Sequence, residues 1–174
     1  FMGEDIATLA PYQIARRGLG FVPEDRRVFS ELSVLQNLEV GKQAARDGMA
    51  AWTPQRLFAL FPNLGEMPDR PGGSMSGGEQ QMLTVARTLM GNPLLVMLDE
   101  PSEGVAPVIV EQMAHMIMNL KQQGLAILLS EQNLHFAQLV CDRAYVLEQG
   151  QIRFSGSMQA LAADEEVQQA YLSL

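Results

Sequence analysis

The chain has 174 residues, with 12 Lys plus Arg against 20 Asp plus Glu and a formal net charge of −8 at pH 7. That acidity argues against non-specific nucleic-acid binding, which depends on neutralising phosphates. No apolar run nears the ~18 residues needed to cross a bilayer, and the acidic start Phe1-Met2-Gly3-Glu4-Asp5 has no signal-peptide pattern. A single cysteine, Cys141, excludes an internal disulfide and fits a reducing compartment, so the expected location is cytoplasmic.

In chain order, Pro11 to Arg17 reads as a short helix closed by Gly18, and Leu19 to Val22 as a strand ended by Pro23. Leu32 to Gln43 reads as a helix with Val34, Leu35 and Leu38 on one face. Thr53 is placed to cap a helix that starts at Pro54 and runs to about Phe61. Pro62 to Gly73, with three prolines and three glycines, is predicted to be a loop. Ser76 to Leu89 is helical, stopped by Gly91 and Pro93. Leu94 to Asp99 is apolar up to its last residue, the pattern of a parallel strand buried on both faces, and Leu125 to Ser130 repeats it.

Between those strands, Pro107 to Gln123 is an amphipathic helix ended by Gly124. Its Met113, Met116, Ile109, Ile117 and Leu120 form a core stripe. Asn133 to Cys141 reads as a helix. Ala144 to Glu148 and Gln151 to Phe154 flank Gln149-Gly150 as a hairpin, and Ser157 to Leu174 as two short helices. Strands alternating with helices imply an α/β fold with a parallel sheet. Residues about 31–90 carry no predicted strand and are expected to form a helical subdomain. Residues 1–30 and 91–174 would supply the remaining α/β core and the C-terminal hairpin and helices.

Two stretches carry chemistry. The strand Leu94 to Leu98 delivers Asp99 and Glu100 at its C-terminal end, where open parallel sheets place ligands. Asp99 suits Mg²⁺, which prefers one or two carboxylates plus phosphate oxygens. Glu100 suits the polarisation of an attacking water. Two solvated acids at a strand end are the plain alternative. The second stretch is Ser74-Met75-Ser76-Gly77-Gly78-Glu79-Gln80-Gln81. Ser76 and Glu79 form a capping box, and a well-capped helix is the plain reading. Yet each glycine costs ~1 kcal/mol against alanine in a helix interior. Two in the first turn make sense where something approaches the backbone closely, and helix N-termini bind phosphate. His115 and His135 have no partner at ligand spacing, and Cys141 reads as an inert core cysteine.

Together, Met75-Ser76-Gly77-Gly78-Glu79-Gln80, the helix ending Gly91-Asn92-Pro93 and the strand ending Asp99-Glu100-Pro101 resemble the signature-to-Walker-B block of ABC ATPases. The likeness covers essentially the whole chain. It narrows at Pro23-Glu24-Asp25-Arg26-Arg27, Ser102-Glu103-Gly104 and Ser130-Glu131-Gln132-Asn133, which are similar to the ATPase subunits of branched-chain amino acid importers. The resemblance implies a partial P-loop NTPase core with a parallel sheet plus a helical subdomain. It implies ATP and Mg²⁺ as ligands. Ser76, Gly77, Gly78 and Glu79 would stand at the nucleotide of a second subunit, with Glu24 at the Q-loop position. Asp99 would be the metal ligand, and Glu100 and Gln132 catalytic. The implied partners are a homodimer mate or paralogous ATPase subunit and membrane permease subunits, at the inner face of the membrane.

No G-x-x-x-x-G-K-[S/T] occurs in the 174 residues. Set beside the family, the chain is therefore expected to be truncated, lacking the N-terminal Walker A region, and not competent for ATP hydrolysis alone. Uncovered apolar strand edges would favour dimerisation or domain swapping. A truncated, non-catalytic interaction protein is the alternative reading. A motor for lipid or urea transport is a weaker third, disfavoured by the run from Pro23 to Arg27.

Overall fold

The computed structural model describes residues 1–46 and 48–171. The chain divides into two compact units, Phe1–Ser130 and Glu131–Leu174. The first unit starts with α1 (Pro11–Arg16), whose proline occupies the first turn, where a missing N–H costs nothing. Gly18, at φ +108, turns the chain into β1 (Leu19–Val22). α2 (Val34–Gly41) is capped reciprocally: the Ser33 hydroxyl accepts from the Gln36 N–H, and the Gln36 side chain accepts from the Ser33 N–H. α3 (Pro54–Leu60) is capped by the Thr53 hydroxyl, which accepts from the Arg56 N–H.

The proline-rich stretch expected to be a loop contains a helical turn, α4 (Pro62–Gly65), and a 3-10 turn over Gly72–Ser74. Pro62 at the first helical position favours a turn there rather than opposing it. α2 is also shorter than expected. Its Leu35 is 37 % exposed, and Asn37 joins Val34 and Leu38 in the fully buried set. Asn37 is satisfied inside: its amide donates to the carbonyls of Phe29, Leu32 and Ser33, and its oxygen accepts from the Phe29 N–H.

α5 (Gly77–Leu89) follows, buried from Gln81 through Ala86 and again at Leu89. Then come β2 (Leu95–Asp99), α6 (Pro107–Gln122) and β3 (Ala126–Ser130). β1, β2 and β3 form a parallel sheet in that order, with Phe21 opposite Met97 and Met97 opposite Leu128. The α/β class with a parallel sheet is as expected, but the two-sided burial is not. β2 alternates between buried and half-buried residues, and β3 between half-buried and exposed ones. The face carrying Gly20, Val22, Val96 and Leu98 is covered; a Cβ at Gly20 would sit 2.7 Å from Thr88 of α5. The opposite face leaves Phe21 51 % and Leu128 52 % exposed. Apolar composition alone made both faces look buried, since an exposed Leu and a buried Leu read alike in sequence.

The second unit contains α7 (Leu134–Val140), β4 (Arg143–Glu148), β5 (Gln151–Ser157), α8 (Met158–Ala163) and α9 (Glu165–Tyr171). β4 and β5 pair antiparallel through a tight turn at Gln149 and Gly150, both at positive φ. A small core of Val146, Met158 and Leu161 packs with Phe154 and the half-buried Cys141. The expected last helix extends over residues 172–174, which lie outside the described residues.

The one-sided sheet predicts unequal costs for two leucine truncations in the 174-residue chain. Leu83→Ala, at a fully buried position of α5, should lower unfolding free energy by about 2–5 kcal/mol. Leu128→Ala should cost about 0.5 kcal/mol or less. Urea unfolding of the two variants checks the difference.

Candidate functional site

All the candidate residues but Gln132 lie on three segments of the first unit: the turn after β1, the tip of α5 and the end of β2 with the loop after it. At the tip, Ser76 is exposed and adopts an extended backbone, leaving α5 to start at Gly77. The Ser76 N–H donates to Glu79 Oε2 at 2.7 Å, and the Glu79 N–H donates to Ser76 Oγ at 3.4 Å. The backbone N–H of Ser76 holds the Glu79 carboxyl below its usual range. Partial burial opposes that shift, while the Ser76 hydroxyl and Arg70 reinforce it. The signature-like tip is thus a fully formed capping box with an accessible serine.

The two glycines have different reasons. A Cβ at Gly78 would lie 2.8 Å from Ile109, so its bareness lets α6 pack against the first turn of α5. A Cβ at Gly77 would collide with Nη1 of Arg26. The close approach at Gly78 is therefore made by the protein itself, while at Gly77 it is made by the movable end of an arginine side chain. Further along the same helix, Gln81 is 2 % exposed, and neither atom of its amide has a hydrogen-bond partner among the described residues.

Asp99 closes β2 opposite Ser130 of β3, half-buried, on the less covered face of the sheet. Glu100 follows at φ 42, a left-handed backbone that costs a glutamate of order 1–3 kcal/mol. Its N–H donates to the Ser130 carbonyl at 2.9 Å, and its carbonyl accepts from the Glu103 N–H at 3.1 Å. Neighbouring backbone thus pins the strained residue. Among the described residues no three His, Cys, Asp or Glu side chains converge. Glu24 is exposed in the turn closed by the Arg26 N–H to the Pro23 carbonyl at 3.4 Å. Gln132 is exposed in the second unit, where its N–H donates to Glu131 Oε1 at 3.0 Å.

Reading by motif missed the residues that tie these segments together. Arg26 donates from Nη2 to the carbonyls of Glu103 and Gly104, each at 3.4 Å. Thr84 of α5 donates to the Arg26 carbonyl, and Arg87 Nη2 donates to the Arg27 carbonyl at 2.8 Å. Arg87 also stacks over Phe29, 4.9 Å from the ring centre. The Arg26-Arg27 pair was visible in sequence as a basic cluster, but nothing in its spacing says that it reaches α5.

This arrangement is the α/β fold of an ABC-type cassette: a parallel sheet, a capped glycine-tipped helix and a strand that ends in adjacent carboxylates. Comparison agrees. The family described as ABC transporter matches residues 1–103. The high-affinity branched-chain amino acid transport ATP-binding protein BraG of Pseudomonas aeruginosa is 41 % identical over 172 residues, spanning 99 % of this chain and 74 % of its own length. The lipopolysaccharide export system ATP-binding protein LptB of Escherichia coli K12 is 34 % identical over 97 % of this chain and 71 % of its own. Among solved structures, an ATP-binding cassette of an ABC transporter superposes with a TM-score of 0.77 at 26 % identity, covering 97 % of this chain and 74 % of the other. The chain belongs to the ATP-binding family of ABC transporters, and that membership implies the use of ATP with Mg²⁺.

The lowered Glu79 pKa sets a pH dependence. A carboxylate held below its ordinary value of 4.5 stabilises the fold above that value. The contribution is lost as pH falls through the folded-state pKa. The stability advantage of wild type over Glu79→Gln should therefore be constant above about pH 5.5 and fade toward pH 3. Urea midpoints measured across that range check it.

Proposed function

We propose that this chain forms part of the ATP-hydrolysing motor of an ABC importer for branched-chain or related amino acids. The observation that carries the reading is the exposed, capped Ser76–Glu79 tip joined through Arg26 to the loop that follows Asp99 and Glu100. The 41 % identity to a branched-chain amino acid transport protein, against 34 % to a lipopolysaccharide export protein, favours amino acids as the cargo class. In this reading Ser76 and the first turn of α5, Gly77 to Glu79, face the terminal phosphate of ATP held by a second ATPase subunit, identical or paralogous. Asp99 holds the Mg²⁺ that enters with ATP. Glu100 accepts a hydrogen bond from the attacking water, and Gln132 is the further residue given a catalytic role. Glu24 and the helical subdomain proposed for residues 31–90 contact a permease at the cytoplasmic face of the membrane. Among the described residues no helix is long and apolar enough to cross a membrane itself.

No G-x-x-x-x-G-K-[S/T] lies within these 174 residues. They therefore hold the signature and Walker B halves of such a site and not a lysine-bearing phosphate cradle. The 174 residues alone are accordingly proposed not to hydrolyse ATP. The same observation favours a second reading, a non-catalytic module that pairs with another ATPase. Micromolar binding of MgATP by the 174-residue chain would eliminate the non-catalytic module.

For the motor reading, the informative variant is Glu100→Gln in a form of the protein that turns over ATP. Hydrolysis should fall by about 100-fold or more, while nucleotide-bound dimers accumulate on size exclusion. Unchanged steady-state hydrolysis would remove Glu100 from the assigned role.

A further inference from the structure

Arg26 and Arg27 are consecutive non-glycine residues at positive φ, 60 and 38. Left-handed backbone costs an ordinary L-residue roughly 1–2 kcal/mol. A turn with two such residues side by side persists only where its surroundings over-determine it. Here they do: α5 holds both carbonyls, that of Arg26 through Thr84 and that of Arg27 through Arg87. The strain throws the Arg26 side chain across to the tip of α5. There the guanidinium occupies the space that any side chain at position 77 would need, and it donates to the Glu103 and Gly104 carbonyls. At 3.4 Å those bonds are long and exposed, so they add little to stability. They do bring the turn after β1, the first turn of α5 and the loop after β2 to one guanidinium.

We propose that Arg26 is a positioning residue that couples the Glu24 turn to the Gly77 helix tip and to the Glu103–Gly104 loop. Its guanidinium is the one group that touches both the helix tip and that loop on the contacts described above. This inference rests on the motor reading. The planar fork suits the task because it presents several donors in one rigid head, which a lysine ammonium does not. The guanidinium contacts no substrate in this assignment, so its loss should change turnover without changing ground-state nucleotide affinity.

The test uses an ATP-hydrolysing assembly of the protein with permease subunits. Arg26→Gly removes the guanidinium while relieving the left-handed strain, so the variant should be at least as thermally stable as wild type. Partner-stimulated kcat for ATP should fall about 10- to 100-fold, the scale of a misplaced site, with the nucleotide dissociation constant within about threefold. Unchanged stimulated kcat overturns the proposal. So does a loss of kcat matched by an equal loss of affinity, which would make Arg26 a direct ligand, or a loss accompanied by a fall in Tm of more than about 5 °C, which would make it structural. Glu100→Gln run in parallel keeps the two ideas apart. If it too retains hydrolysis, the motor reading has failed; if only Arg26→Gly is silent, the coupling alone has failed.

Discussion

The first unit depends on one helix, α5, being approachable from three sides. Its outer residues are bare or short where neighbours come close: Gly78 beneath Ile109 of α6, and Thr88 against Gly20 of β1. Its middle is fully buried, and its polar side chains reach outward to hold the turn after β1. A longer side chain at any of those contacts would push a sheet strand, a helix or a loop away from the others. Close packing makes such interiors intolerant of added volume. The chemistry assigned to the helix tip is therefore inseparable from the packing of the helix body.

That dependence changes the meaning of the signature glycines. Read as sequence, two glycines after a capping serine suggest a backbone cleared for phosphate. In the structure Gly78 already has an internal reason, the close approach of Ile109, while Gly77 faces the movable head of Arg26. Of the groups at the tip, the Ser76 side chain is the exposed one, and the proposed phosphate role rests first on its hydroxyl.

Much of the architecture was legible in the sequence, and for definite reasons. Ser76 with Glu79 and Thr53 with Pro54 are local capping patterns, and local patterns form where they are written. The apolar run before Asp99 placed the carboxylates at a strand end. What could not be read was non-local. The exposed face bearing Phe21 and Leu128 depends on which helices cover the sheet. The burial of Asn37 depends on carbonyls five and eight residues away, at Leu32 and Phe29. Arg26 meets Gly77 and Gly104 only after some fifty to eighty residues of intervening chain have folded. The short helical turn at Pro62 was missed because proline was weighed as a breaker when its position made it a starter.

The central claim is that the Ser76 tip meets the terminal phosphate of a bound nucleotide. The most direct measurement is vanadate trapping of the full-length, ATP-hydrolysing protein followed by ultraviolet photocleavage and mass spectrometry of the fragments. Vanadate takes the place of that phosphate and cuts the backbone it touches. The account predicts cleavage at Ser76 or Gly77. Efficient cleavage elsewhere in the chain, with residues 74–79 intact, would contradict it.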